Sequence, residues 1–586
     1  VEAPGGRGRV GGARTAIKPF LTAPFNLPPW SRLLGAAAAY AGCVLLFFHP
    51  LLGRLTTALL GPPEDNMQDL WNTWHSQFAF ASDIQQLAYT RALFFPEGSS
   101  LVYHSFAYPN LAAIFALRSL VGLPLEVPVA VGFHNGMLLL SFLLAGLGAF
   151  LLTWQWTRSF WASLAGGYIF AFSPFHFAHA LHHTHVAMIQ FIPFFVLCAW
   201  RYLLRPGWAT YAGAVAFFAL SALSSWYYLF YNAYFLALCY GYCAFTRRAL
   251  WVRDAALRTG AVLAGAAVVL APLLVPMVVQ GAGNPGVYAE GHNRYVADLA
   301  GFVAFPPHHL LGAWTRGIVA RFQGNPWETA VYLGVANLAL LGWGWRHRPA
   351  VSSALGFSLL GMAFFALWAM GHSLHVLGQS LRFVYLPTAL TTYLPFIGNV
   401  RTPSRAIVYV YLFLGVAVGC VLKALCGDPR ARLYPWQRRA GPRLAAATAL
   451  SGLVFLDYYA VAREMTPVVC PPAYEAIRRD PDRPAAVLDL PAVYAVGNRA
   501  MMAQLFHRHP IAHATISRKP APSLVDRLVY DDLDAQREQL REAGVRYIVI
   551  HKILPPRRRP LRPKHRLDPA AYARSYRAIY EDGEHA

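Results

Sequence analysis

An otherwise acid-poor chain carries three carboxylates within six residues, Glu64, Asp65 and Asp69, in the stretch GPPEDNMQDLWNTWH from Gly61 to His75. On a helix Asp65 and Asp69 share a face four residues apart, where each raises the cost of ionising the other. Such a pair can take a proton from a reacting group or position a cation. The structural alternative makes Asp65 an N-cap, with Gln68 and Asp69 in the first turn. Trp71 and Trp74 have a bland alternative of their own, as anchors at headgroup depth.

Histidine is concentrated in HFAHALHHTH, which holds His176, His179, His182, His183 and His185. Positions 176, 179 and 183 fall on one helical face, a spacing at which imidazoles hold zinc or another divalent ion. No carboxylate accompanies them in sequence, so binding of phosphate or hydroxyl groups, or a wet helix end, stays open. Glu328, in NPWETAVYLG, sits at the mouth of an apolar segment. An unpaired carboxylate at depth would cost on the order of 2 kcal/mol or more, so Glu328 needs a partner or water. Its alternative is a helix N-terminal acid favoured by the dipole. EGHNRY (Glu290 to Tyr295) and the run Pro306 to His309 add acid–base groups to the same loop. Arg401 and Arg405, four apart in GNVRTPSRA, border a further apolar segment. Guanidinium matches phosphate oxygens bidentately, so the two could clamp a phosphate or diphosphate. Snorkelling at a helix end is the alternative.

The elements that must position these residues are apolar, because the 586 residues are 56% hydrophobic and only 13% charged. Spans of about 20 apolar residues cross a bilayer. Eleven candidates are read at 33–52, 128–154, 160–177, 186–203, 209–225, 227–245, 259–279, 329–345, 353–371, 404–424 and 443–462. A formal charge of +22 would suggest nucleic acid in a soluble protein. Here the arginines gather in short loops on one side of the spans, which is the positive-inside pattern and argues against a nucleic-acid partner. It places the N-terminus in the cytoplasm and the C-terminus outside. The outer side then carries the long loops, the first at 53–127 with Tyr103 and His104 in YHSFAYPN. Residues 1–32 read as a disordered basic cytoplasmic tail without the apolar core of a signal peptide. From 464 to 586 the chain becomes charged and Pro-rich, with strand-like AAVLDLP and VRYIVIH and a basic tail. Five of the seven cysteines lie in apolar segments, so neither a disulfide framework nor a CxxC metal site is implied. The predicted fold class is an α-helical polytopic membrane protein of about eleven transmembrane helices over 33–463, with a small C-terminal α/β extracytoplasmic domain at 464–586.

Taken in order, DNMQDLWNTW, FAFSPFHFAHALHHTH, SSWYYLFY, WETAVYLG, GNVRTPSRA, VLDLP and GVRYIVIH resemble the bacterial multipass members of the C-type (GT-C) membrane glycosyltransferases, over nearly all of residues 33–552. The resemblance implies a polyprenyl-phosphate-linked sugar donor entering from the bilayer of the bacterial inner membrane. It also implies transfer on the extracytoplasmic face to a glycan, lipid or protein acceptor. Asp65 is then similar to the family's first-loop carboxylate, the base, with Asp69 as the second acid. Trp71, Trp74, Tyr103 and Tyr227 would stack on sugar rings, with His104 beside them. His179, His183, Glu328, Arg401 and Arg405 would hold the donor and its departing phosphate. SSWYY has Ser225 where some relatives carry an acid. The sugar–phosphate bond supplies the energy, and the chain has no GxxxxGK[ST] nucleotide loop. No cofactor is implied beyond a divalent metal, which the histidines leave open. Two readings of other classes stand beside this one. A transporter or flippase of lipid-linked saccharide predicts ionisable residues near the bilayer midplane, whereas the spans are almost charge-free, Asp457 being a rare exception. A non-catalytic envelope assembly protein would work through its C-terminal domain.

Overall fold

The computed structural model describes residues 26–246, 249–283, 295–347, 353–393, 400–427, 439–480, 485–554 and 567–585. Residues 1–25, most of EGHNRY and the basic stretch 555–566 lie outside the described residues.

Every apolar segment read from the sequence contains a helix. With the two helices of the first long loop, α2 (Asp65–Ala81) and α3 (Tyr108–Val121), the chain order is α1 (Trp30–Leu52), α2, α3, α4 (Val127–Thr157), α5 (Phe160–Ala171), α6 (Pro174–His182), α7 (Ile192–Leu204), α8 (Trp208–Ser224), α9 (Trp226–Thr246) and α10 (Ala249–Gly283). They continue with α11 (Val335–Arg346), α12 (Ser353–Ala369), α13 (Ile407–Leu422) and α14 (Ala440–Tyr458). Among the described residues, four stretches are long and apolar enough to cross a membrane: Trp30–Leu52, Val127–Thr157, Val252–Gly283 and Pro403–Cys426. The protein is a mostly helical membrane protein.

Helix α13 is apolar on all sides and every one of its residues is buried, which makes it the axis of the bundle. Small residues let α5 lie directly against it: a Cβ on Gly415 would stand 2.4 Å from the carbonyl oxygen of Gly166. Two segments differ from the boundaries read in the sequence. The 160–177 segment stops at Ala171 because Pro174 cannot continue a helix, and Ser173 Oγ instead accepts the His176 N–H at 3.3 Å to start α6. The 186–203 segment becomes helical only from Ile192, with Pro193 in its first turn.

The first long loop and the C-terminal residues are joined. Strand β1 (Ala58–Leu60) pairs antiparallel with β2 (Met465–Pro467). Both strand-like runs of the C-terminal region form strands, β3 (Ala486–Leu490) and β4 (Val545–Ile550), paired in parallel with Leu488 opposite Ile548. Helices α15 (Pro472–Arg479) and α16 (Tyr494–His507) lie beside them. One apolar core runs through Met67, Leu70 and Trp71 of α2 and Tyr474, Met501 and Leu505 of α15 and α16. The C-terminal residues thus form a roof over α2.

Candidate functional site

Helix α2 is polar in sequence yet almost wholly buried, and each polar group has to find a partner. Asn66 Nδ2 donates to the Leu60 carbonyl at 2.8 Å, and Asn72 Nδ2 to that of Ser105 at 3.1 Å. Its entry is fixed by Gly61, whose φ of +89° suits glycine, and whose absent Cβ would meet the Leu181 carbonyl oxygen of α6 at 1.7 Å. That close approach sets the first-loop acids against the histidines that end α6. Asp65 is not an N-cap. Glu64 holds that position without a side-chain cap, and Asp65 opens the helix with its carboxylate turned to the histidines.

Five groups converge there. His183 Nε2 lies 3.3 Å from Asp65 Oδ2. His183 Nδ1 lies 3.2 Å from His179 Nδ1 and 3.9 Å from Glu328 Oε1. His179 Nε2 is 3.6 Å from Glu328 Oε2 and has no hydrogen-bond partner although it is buried. Arg405 Nε donates to both Glu328 oxygens at 3.1 Å, and its Nη2 donates to Oε1. The guanidinium in turn lies 4.5 Å from the centre of the Tyr227 ring. Glu328 is therefore paired and not at a helix N-terminus, since α11 begins only at Val335.

Around this centre, Asp69 holds His185 through its Nδ1, at 3.1 Å, and its backbone N–H, at 3.2 Å. A cavity of about 20 Å³ lies beside the pair, lined by Asn72, Thr73, His134 and Thr184, and is large enough for one water molecule. Glu64 Oε2 is 3.1 Å from His182 Nδ1, and the His182 ring stacks on Trp327 at 3.8 Å.

Burial alone would raise the Asp65 carboxyl. The hydrogen bond and charge of His183 and a hydrogen bond from the Tyr494 hydroxyl outweigh it and bring the group down to about 2. Burial likewise opposes ionisation of Glu328, but the charge and N–H groups of Arg405 hold it below the usual carboxylate range, and the charge of Arg401 contributes. Burial holds His179 well below the ordinary histidine value. Asp65 and Glu328 are thus anionic, and the His179 imidazole beside Glu328 is neutral. His179, His183 and Glu328 present ligand atoms within 4.8 Å of one another, a donor set suited to a zinc-like divalent ion, and the bare His179 Nε2 fits that use.

Of the residues singled out in sequence, Asp65, His179, His183, Tyr227, Glu328 and Arg405 are brought together. Asp69 stands one turn deeper, engaged with His185. His176 is separated from the other histidines by its contacts: it stacks on Phe142 at 3.7 Å and its Nδ1 bonds the Ala171 carbonyl. Trp71 and Trp74 are buried, and Trp71 Nε1 donates to Gln504 of α16 at 2.6 Å. Tyr103 donates to the Met277 carbonyl. His104 is wholly buried, 2.7 Å from Asn72 Oδ1, and burial lowers it to about 3. Two contacts to Asp65 come from residues that the sequence did not flag, the Tyr494 hydroxyl and Asn498 Nδ2 at 3.5 Å, both from α16.

Residues 33–437 match the family described as "Domain of unknown function (DUF6311)". No curated protein matches the chain. Among solved structures it is similar to the arabinofuranosyltransferase AftD from Mycobacteria, at 14% identity and a TM-score of 0.50 over 90% of this chain and 37% of that one. It also matches the archaeal oligosaccharyltransferase AglB from Archaeoglobus fulgidus in complex with an inhibitory peptide and a dolichol-phosphate (10% identity, 89% and 69% covered, TM-score 0.49). ArnT from Cupriavidus metallidurans, bound to undecaprenyl phosphate, matches at 11% identity (89% and 93% covered, TM-score 0.47). Of these three, AftD carries the likeness, and the fold is GT-C-like. The chain spans little more than a third of the AftD chain's length.

Proposed function

The chain belongs to the DUF6311 family, and from that premise, joined to its GT-C-like fold, we propose that it is a membrane glycosyltransferase. It moves a sugar from a polyprenyl-phosphate carrier to an extracytoplasmic acceptor, with eleven crossings that leave the N-terminus in the cytoplasm of the bacterial cell and the C-terminal domain outside. The observation that carries this reading is the Asp65 carboxylate, 3.3 Å from His183, in one cluster with His179 and the buried Glu328–Arg405 pair. A displacement at an anomeric carbon needs a base for the acceptor and positive or hydrogen-bonding groups for the leaving phosphate.

In the reaction, the acceptor oxygen bonds to the anomeric carbon while the bond from that carbon to the phosphate oxygen breaks. The lipid phosphate leaves with the bonding electrons, and the acceptor proton passes to Asp65. Glu328 is a positioning residue, which fixes Arg405 against the Tyr227 ring so that its positive charge stays beside the leaving group. Arg401 adds charge from four residues earlier. Asp69 orients His185 and is not itself the base. A bound divalent cation would sit on His179, His183 and Glu328 and would add charge for the leaving phosphate.

The experiment offers purified protein in liposomes a panel of labelled polyprenyl-phosphate sugars, with and without chelator. Release of the carrier phosphate together with transfer of label supports the reading. Lipid-linked saccharide crossing the bilayer without chemistry would replace the enzyme by a transporter.

A further inference from the structure

Asp65 divides its two oxygens between the two halves of the protein. Oδ2 faces His183 of the membrane bundle, whereas Oδ1 faces the first turn of α16, where the Tyr494 hydroxyl donates to it and Asn498 Nδ2 stands 3.5 Å away. The backbone of that turn is fixed: Thr515 Oγ1 donates to the Tyr494 carbonyl at 2.9 Å, and His513 Nε2 lies 3.0 Å from the Val493 carbonyl. Gly497 lies so close to the 514–515 backbone that a Cβ there would meet Thr515 Oγ1 at 2.4 Å. Tyr494, by contrast, is 57% exposed, so its ring can swing away without opening a core. Asn498 is fully buried beneath it and its Oδ1 has no hydrogen-bond partner. A buried amide oxygen left bare is costly unless a donor reaches it.

A base that receives a proton from an alcohol must present an oxygen to that alcohol's hydroxyl. Asp65 Oδ1 presents itself to a hydroxyl already, that of a phenol, which does not give up its proton at neutral pH. An acceptor hydroxyl would make the same bond in the same place. A second hydroxyl on the neighbouring carbon would supply the donor that Asn498 Oδ1 lacks.

We propose that Asp65, Tyr494 and Asn498 form the acceptor subsite, that it takes a ring bearing adjacent hydroxyls rather than an amide, and that the Tyr494 phenol occupies it until the acceptor displaces it. The inference rests on Asp65 being the base. It makes the C-terminal roof part of the reaction site, with Tyr494 setting the apparent affinity for the acceptor.

The test uses the full chain in liposomes, wild type beside Tyr494→Phe and Asn498→Ala. Asp65 is labelled with a water-soluble carbodiimide and an amine and read by mass spectrometry, in the presence of methyl glycosides or, as the amide, acetamide. A methyl glycoside should protect Asp65 in Tyr494→Phe at about one tenth of the concentration needed in wild type, the effect of one hydrogen bond to a charged group. Asn498→Ala should need more glycoside than wild type, and acetamide should protect none of the three. Equal protecting concentrations in wild type and Tyr494→Phe, or protection by acetamide as good as by glycoside, would overturn the proposal. The same proteins are then assayed for sugar transfer from polyprenyl-phosphate donors to the glycosides, where the acceptor KM should fall about tenfold in Tyr494→Phe. Transfer with an unchanged KM and unchanged protection sinks the subsite and leaves the enzyme reading standing. Shifted protection without transfer by any protein leaves a glycoside-binding site at Asp65 and sinks the enzyme reading, and with it the acceptor role of the subsite.

Discussion

Breaking the Glu328–Arg405 pair tests whether the site is built around a buried charge. The two side chains are 3% and 8% exposed, and both nitrogens of the Arg405 fork that reach Glu328 are engaged. Removing one partner leaves the other charge buried without compensation, a loss of about 3–5 kcal/mol. Glu328→Gln and Arg405→Met are each expected to cost that much, although His179 and His183 stay within 3.6 and 3.9 Å of residue 328. The double variant leaves no buried charge unpaired. It should cost less than the sum of the single changes by about 3 kcal/mol or more, which is the coupling between neighbours in one network. The assay is equilibrium unfolding of the full chain in mixed micelles titrated with dodecyl sulfate, followed by tryptophan fluorescence. Additivity within about 0.5 kcal/mol would mean that the two groups do not share a charge balance.

The lowered carboxyl of Asp65 has a signed consequence. Its charge stabilises the fold above the ordinary carboxyl value of 3.8, and that contribution, about 2 kcal/mol, is lost as pH falls from there through about 2. Stability measured from pH 5 to pH 2 should therefore fall less steeply in Asp65→Asn, and parallel curves would contradict the assignment. Zinc titration should separate the histidines: His183→Ala is expected to weaken binding about tenfold or more, while His176→Ala leaves binding unchanged and lowers the unfolding temperature through the lost stack on Phe142. Equal losses of zinc in both variants would remove the proposed ligand set. Gly61→Ala puts a methyl group into the Leu181 carbonyl at a φ of +89°, and the expected result is loss of folded protein on size exclusion. A well-folded Gly61→Ala protein would show that α2 can enter by another path.

The helices were readable because a chain in lipid must satisfy its backbone internally and cover it with apolar side chains, which writes long apolar runs into the sequence. The stop at Ala171 was written there too, as Ser173–Pro174, but an apolar run on both sides of it masks the break. The chemistry was readable only one residue at a time. Asp65, His183, Glu328 and Arg405 each stand out by type, whereas their pairing depends on chain segments 77 or more residues apart, which no local spacing reports. Helical spacing also misplaced His176 beside His179 and His183, because its ring stacks on Phe142 and its Nδ1 bonds the Ala171 carbonyl. Trp71 shows the reverse failure: an aromatic residue in an outer loop suits a sugar platform, but the C-terminal roof buries it and Gln504 takes its N–H. Tyr494 and Asn498 carried no signal, since they meet Asp65 across more than 400 residues of chain.

The role of Asp65 is tested by sugar transfer by wild type beside Asp65→Asn, in liposomes, from whichever polyprenyl-phosphate donor wild type turns over, with the unfolding temperatures of both proteins recorded. Loss of the base predicts that transfer falls by about 100-fold or more while the variant stays folded at neutral pH. Transfer undiminished in a folded Asp65→Asn protein would contradict the assignment of Asp65 and the mechanism built on it.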